Sequence, residues 1–407
     1  MKHTALFLVL INAVACDSLA QEFDKNLITE HIKTLADDSY AGRGTGTAGE
    51  KAAATYIENA FKKLKLQPKG DNKTYFQSFP FKGGAHGEGE AGTAANVIGY
   101  LDNEASTTVI IGAHYDHLGT DGQNNSLDAN SKNKIHNGAD DNASGVAGVI
   151  ELARYFSTNN KKEKNNFLFL CFSGEELGLL GSKFFTEHSP VDLAIVNYMI
   201  NMDMIGRLDP QTKTLLVYGT GTSPVWENLI KKLAPADLVI KTDSSGTGPS
   251  DHTSFYLKDL PVLHFFTGAH SDYHKPSDDW EKVNADGEAA VLKLIARIIE
   301  DPATSTKLGF LKTRSKTQMS RSSFKVTLGI MPSYTAEGEG LKVDGVTDGR
   351  PGHTAGIQTG DIILQIGEYP IKDIQHYMDA LGKFEKGQTV PVKVKRGNEM
   401  LDLSVAF

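Results

Sequence analysis

The chain has 407 residues, too many for one ordinary domain, and its 40% apolar and 23% charged residues belong to a folded globular protein rather than a disordered one. A formal net charge of -8 offers no basic face to a nucleic acid and sets that class of partner aside.

Lys2 and His3 precede an apolar run from Ala5 to Ala15, and Ser18-Leu19-Ala20 has the small-x-small form of a cleavage site. The run is too short to span a bilayer and no stop-transfer pattern follows. Residues 1–20 are therefore expected to be a secretory signal, with the mature protein periplasmic or extracellular and without a transmembrane segment. An alternative is a lipid anchor at Cys16, although Ala13 stands where lipoprotein sites usually carry leucine. Cys16 and Cys171 are the only cysteines, so cleavage after Ala20 leaves no intrachain pair. Cys171 lies in an apolar run and is expected to be a core thiol.

Leu27 to Leu66 reads as helix, turn, helix, broken by Gly42, Gly44, Gly46 and Gly49; Ala53, Ile57, Phe61 and Leu64 then recur at helical spacing. Strand-like and helical runs alternate beyond that point. Strands are expected at 97–101, 109–113, 167–172, 195–202 and 262–266, and helices at 145–156, 178–185, 225–233 and 287–299. Strands apolar throughout, each followed by a helix, imply an α/β domain whose mostly parallel central sheet carries helices on both faces. From Pro302 to Ser323 the chain carries Lys307, Lys312, Arg314, Lys316 and Arg321 with no acidic residue, among many Ser and Thr. This composition predicts a linker, with Leu308–Leu311 as a short hydrophobic anchor. Residues 21–301 then form one domain and 324–407 a second, smaller, β-rich one.

Five segments place metal-ligand residues at or near predicted strand ends. They are His114-Tyr115-Asp116-His117, Asp140-Asp141 ahead of a helix, Glu175-Glu176 after an apolar strand, Asp203 within Asn201–Met204, and His274 in the loop 271–279. Taken singly, each has a plain structural reading, as a strand-end polar residue, a helix cap or a solvated turn. Adjacent carboxylates at a buried strand end are costly without a cation or a proton, however, and suit a division between metal binding and proton transfer. Two histidines and three carboxylates together offer the nitrogen and oxygen donors that two divalent ions sharing a bridge require. Their scatter over separate loops fits a site outside the carboxyl ends of a parallel sheet.

The stretches LADDSYAGRGTGTAGEKAAATYIENAFKKL, GAHYDHLG, NGADDNASGVA, FSGEELGLLGS, NMDMIGR and DYHKPSDDW, in that order, resemble the co-catalytic di-zinc aminopeptidase family. That family includes secreted bacterial leucyl aminopeptidases, glutamate carboxypeptidases and glutaminyl cyclases. The resemblance implies two Zn2+ per chain, one on His114 and Asp203, the other on Glu176 and His274, with Asp141 bridging. It further implies Glu175 as general acid/base, Asp116 as the partner of His114, and a cis bond between Asp141 and Asn142. His117, His136, His252, His264 and His270 match none of the family's ligands and are expected to be supporting, packing or surface residues. Some relatives carry a tyrosine before the segment matching Ser250-Asp251-His252; here Thr247 or a loop N–H is the candidate to stabilise an oxyanion.

The C-terminal unit resembles bacterial PDZ domains through TLGIMP and AGIQTGDIILQIGEYPI, which implies that the N–H groups around Leu328, Gly329 and Ile330 hold a peptide or protein C-terminal carboxylate. The function so implied is removal of N-terminal residues from peptides with free N-termini, by a metal-bridged water with Glu175 moving the proton. The alternatives are a glutaminyl cyclase-like transferase and a non-catalytic peptide-binding protein working through the PDZ unit.

Overall fold

The computed structural model describes residues 23–82, 91–120, 126–128, 130–313, 326–332, 340–346, 349–372 and 374–407. The expected signal at 1–20 with Cys16, and the linker residues 314–323, lie outside the described residues.

The first unit runs α1 (Lys25–Leu35), α2 (Ala48–Lys63), β1 (Gln67–Pro68), β2 (Phe76–Lys82), β3 (Ala91–Leu101), β4 (Thr108–His114), α3 (Gly145–Thr158), β5 (Asn166–Phe172), α4 (Leu180–Glu187), β6 (Val196–Met202), β7 (Thr214–Tyr218), α5 (Trp226–Leu233), β8 (Val239–Thr242), α6 (His252–Tyr256), β9 (Val262–Phe266) and α7 (Ala285–Glu300). Its sheet has the order β1-β3-β5-β4-β6-β9-β7-β8, with β2 paired to β3. The inner strands β5, β4, β6 and β9 are mutually parallel, while β3 and β7 join this block antiparallel. The mostly parallel expectation therefore describes the centre, and the flanks reverse.

Alternate side chains of the inner strands feed two cores. Val109, Ile111, Phe167, Phe169, Tyr198 and Ile200 meet α1, α2, α3, α5 and α7 on one face. Ile110, Leu168, Leu170, Phe172, Met199 and Val262 meet α4 and α6 on the other. Burial on both faces is why these strands show no polar alternation. Cys171 is buried in the first core, as expected of a packing thiol. Strands β2, β7 and β8 were not expected: β2 carries Pro80, which weakens a strand reading, and β7 and β8 are short.

The second unit comprises β10 (Ile330–Pro332), β11 (Leu341–Val346), α8 (Pro351–Thr354), β12 (Ile362–Ile366), β13 (Tyr369–Pro370), α9 (Ile374–Leu381), β14 (Thr389–Arg396) and β15 (Glu399–Ala406). Its antiparallel sheet runs β10-β11-β12-β14-β15 around its own core of Leu328, Val343, Ile363, Ile366, Val392, Val394 and Val405. In the proposed carboxylate loop, Gly329 has φ +68°, Leu328 is buried, and the Gly329 N–H donates to Thr327 Oγ1 at 3.0 Å.

Composition assigned residues 302–313 to a linker, but the chain there packs on the first unit. Leu308 enters the first core and Phe310 the second. The Asn197 amide, buried in β6, donates to the carbonyls of Thr304 and Thr306, and its Oδ1 accepts the Leu308 N–H at 2.8 Å. Thr313 bonds the Tyr256 hydroxyl through both its N–H and its side chain. The expected anchor at 308–311 is therefore part of the domain. Leu308→Ala should cost about 2–5 kcal/mol, as other buried leucine truncations do, read as a lower denaturant midpoint for unfolding of the first unit.

Burial also holds His31 neutral. Its imidazole, packed against Tyr56 and with Arg154 and Lys63 nearby, is depressed to about 4. The unfolded chain takes up that proton near 6.5, so the contribution of His31 to stability is complete above that value and is lost as pH falls toward 4. Between pH 7 and pH 5 the parent should therefore lose more stability than His31→Asn does, measured by urea unfolding of both.

Candidate active site

The donors converge where the parallel strands end. His114 closes β4 and Asp203 follows β6 directly, its N–H bonded to the Phe265 carbonyl at 3.2 Å. Glu175 and Glu176 sit on the tight turn after β5, which Gly174 enters at φ +67°. Asp141 lies in the irregular turn Ala139–Ser144 that leads into α3, and the Asp141–Asn142 bond is cis, as the resemblance implied. His274 comes from the loop after β9, with its own φ at +54°.

Asp141 divides its two oxygens. Oδ1 lies 3.4 Å from His114 Nε2, which is itself 3.4 Å from Asp203 Oδ1. Oδ2 lies 3.3 Å from His274 Nε2, which is 3.2 Å from Glu176 Oε2. Zinc bonds of about 2.0–2.1 Å in a tetrahedral shell put neighbouring donor atoms about 3.3 Å apart. The donor set and its spacings therefore fit two ions sharing Asp141. Proximity alone would group the residues differently, joining Glu175 to His114 and Asp203, and His117 to Asp141 and Glu176. The uniform 3.2–3.4 Å edges favour the first grouping, and leave Glu175 beside the His114–Asp203 pair.

Charge explains the proton affinities. Burial raises Glu175 well above the usual carboxylate range, against the pull of His114, and the nearby Asp251, Glu176 and Asp203 reinforce it. Burial alone would raise Glu176 too, but His274 and the hydrogen bond from His117 bring it down to about 2. Asp141 is likewise buried, yet His117, His114 and His274 hold it well below its ordinary value. For His114 and His274, burial opposes the charged form and the surrounding carboxylates overcome it, so both imidazoles stand well above their ordinary value.

Asp116 departs from expectation in its mode of action. His114 Nδ1 meets the main-chain carbonyl of Asp116 at 3.1 Å, whereas the carboxylate is 3.8 Å away. That carboxylate instead accepts the Glu175 N–H at 3.1 Å and the Thr45 hydroxyl at 2.8 Å. One residue thus orients both His114 and the turn that carries Glu175. Arg43, wholly buried, donates to the carbonyls of Leu35, Tyr115, Asn137 and Gly138 and ties together the loops that bear His114 and Asp141. Asp278 accepts the N–H groups of Asp140 and Asp141 at 3.0 and 3.1 Å. The loop ahead of the turn braces His274, whose carbonyl accepts from Leu127 N–H at 2.9 Å.

The five histidines without an assigned ligand role separate clearly: His117, His136, His252 and His264 are buried and His270 is partly so. His136 bonds Ser126, His270 bonds Asp140, and His252 stacks on His264 with ring centroids 4.4 Å apart. His117 reaches the centre itself, 2.8 Å from Glu176 Oε1. Its position three residues after His114 was the available sequence signal. Thr247 turns its hydroxyl to Ser245, while Tyr218 and Tyr273 line the cavity at the centre. Burial, reinforced by four surrounding carboxylates, keeps the Tyr273 phenol protonated far above its usual value, and so able to donate. The cavity has a volume of about 160 Å³ and its walls include Met204, Leu216, Pro249 and Phe266.

Metal-ligand residues gathered at the carboxyl edge of a doubly covered α/β sheet define a candidate metal centre. The chain belongs to peptidase family M28, whose model matches residues 96–299, and a PDZ domain model matches residues 319–407. Leupeptin-inactivating enzyme 1 of Streptomyces exfoliatus is 28% identical over 254 residues, 62% of this chain and 50% of its own. Leucine aminopeptidase 2 of Trichophyton rubrum is 27% identical over 261 residues, 56% of this chain and 51% of its own. The chain thus spans about half the length of these curated relatives. A Zn-dependent exopeptidase from Parabacteroides distasonis shares the fold with a TM-score of 0.58 at 20% identity, over 69% of this chain and 99% of that one. A Bacteroides thetaiotaomicron glutaminyl cyclase does so with a TM-score of 0.57 at 18% identity, over 69% and 99%.

Proposed function

We propose that the protein is an exported zinc aminopeptidase that removes N-terminal residues from peptides, using two ions per chain. The observation that carries this reading is the division of Asp141 between His114–Asp203 and His274–Glu176 with matched donor spacings. His114, Asp141 and Asp203 would hold one ion, and Glu176, His274 and the shared Asp141 the other. Such a pair, when bound, polarises a peptide carbonyl and lowers the pKa of a shared water toward 7.

Glu175 takes the proton of the attacking water and delivers it to the leaving amine. Its carboxyl, beside the His114–Asp203 pair, is placed to hold that proton between the two transfers. Asp116 keeps the Glu175 turn in place through its main-chain N–H. The substrate α-amino group sits among the cluster's carboxylates, and the walls of Met204, Leu216, Pro249 and Phe266 receive an apolar first side chain. Tyr273 offers a phenolic O–H to the developing oxyanion. Glutaminyl cyclases share the fold, but the complete five-residue donor set beside an acid/base glutamate favours hydrolysis. Among the described residues no helix is long and apolar enough to cross a membrane.

Glu175→Gln should retain both ions and lose activity about 10²–10⁴-fold, since only proton transfer is removed. Glu176→Gln should weaken metal binding itself. Metal content by mass spectrometry and turnover of leucyl-nitroanilide test both, and equal metal loss in the two variants would void this division of roles. N-blocked peptides should resist cleavage, and a peptide with N-terminal glutamine should release free glutamine; release of ammonia with ring closure would support the cyclase instead.

The PDZ unit is proposed to tether peptide or protein C-termini at Leu328–Ile330. A chain ending after Thr313 keeps every donor and the packed segment 302–313, so it should turn over a dipeptide analogue at the full-length rate and a long peptide more slowly. Equal loss on both substrates would make the C-terminal unit structural.

A further inference from the structure

His117 stands within the cluster yet fits neither ion's shell. Its Nδ1 is 2.8 Å from Glu176 Oε1 and 3.8 Å from Asp141 Oδ2, a hydrogen-bond length and a separation too long for one. Neither value matches the 3.2–3.4 Å edges shared by the other donors. An ionised carboxylate only accepts, so a 2.8 Å contact to Glu176 Oε1 places the proton on Nδ1. The two oxygens of Glu176 are thereby separated: Oε1 faces His117, and Oε2 faces His274 at 3.2 Å.

The ring is fixed from several sides. The His117 N–H donates to the Arg43 carbonyl at 3.2 Å, and the residue pairs with Gly44 in a parallel bridge. A Cβ on Gly138 would lie 2.5 Å from His117 Cγ and Cδ2, so only glycine leaves the imidazole its place. His274 meets the ring edge-on, with centroids 5.8 Å apart. The other nitrogen, Nε2, is buried with no hydrogen-bond partner among the described residues, so Nδ1 makes the ring's single polar contact.

We infer that His117 is a positioning residue: its Nδ1–H holds Glu176 Oε1 and leaves Oε2 alone to bind the ion shared with His274 and Asp141. This rests on the two-ion reading of the site. Loss of an outer-shell partner of this kind commonly costs about 10–100-fold in metal affinity. His117→Phe keeps a ring and removes the donor, whereas His117→Asn returns an amide N–H near the Nδ1 position.

The test is Zn2+ affinity at each site by chelator competition on the full chain, with the thermal midpoint of each metal-free protein recorded alongside. His117→Phe should lose about 10–100-fold at one site and leave the other unchanged, and His117→Asn should recover to within a few-fold of the parent. Unchanged affinities in His117→Phe, equal losses at both sites, or a His117→Asn no better than His117→Phe would each overturn the inference. A parent chain that saturates at one ion would instead overturn the two-ion reading on which it stands.

Discussion

The structure is organised around the burial of negative charge. Asp116, Asp140 and Asp141 are almost wholly withdrawn from water, and Glu175, Glu176 and Asp203 crowd against them at the end of one sheet. Isolated buried carboxylates are prohibitively costly, so the surroundings must offset them. Arg43 supplies a buried cation whose guanidinium donates to four main-chain carbonyls, fixing it in place without pairing it to any one acid. His114 and His274 bring imidazole nitrogens to within 3.2–3.4 Å of the same carboxylates. The arrangement is poised for a divalent ion because cation-seeking oxygens are already held in position.

That holding is done largely by main-chain hydrogen bonds. Asp278 ties down the N–H groups of Asp140 and Asp141, Asp116 ties down that of Glu175, and Asn142 Oδ1 accepts from both Gly145 and Met204. Such contacts lock the turns on which the donors ride, a stronger constraint than packing of the donor side chains themselves. The parallel inner strands make this economical, since the carboxyl ends of β4, β5, β6 and β9 all open on the same edge, where the loops that follow them meet.

Much of this was legible in residues alone. Continuous apolar strands at 109–113 and 167–172 reported burial on both faces, because a strand with one wet face alternates. The order and chemistry of His114, Asp141, Glu175-Glu176, Asp203 and His274 pointed to a paired-ion site, because few other reasons place those side chains at successive strand ends. Other features were hidden. Pro302–Thr313 looked like a linker because its composition is polar and basic, yet Leu308, Phe310, the amide of Asn197 and the Thr313–Tyr256 bonds hold it to the domain.

The amino-acid sequence by itself determined the sheet's character, the candidate donors and the presence of a second β-rich unit, since apolar periodicity and ligand chemistry are local properties of the chain. Only the tertiary structure decided how those donors are used. That Asp116 supports His114 by its carbonyl and Glu175 by its carboxylate, that His117 takes one oxygen of Glu176, and that Gly138 makes room for it all depend on side-chain direction. Direction is set by contacts between residues far apart in sequence, and no spacing along the chain encodes it.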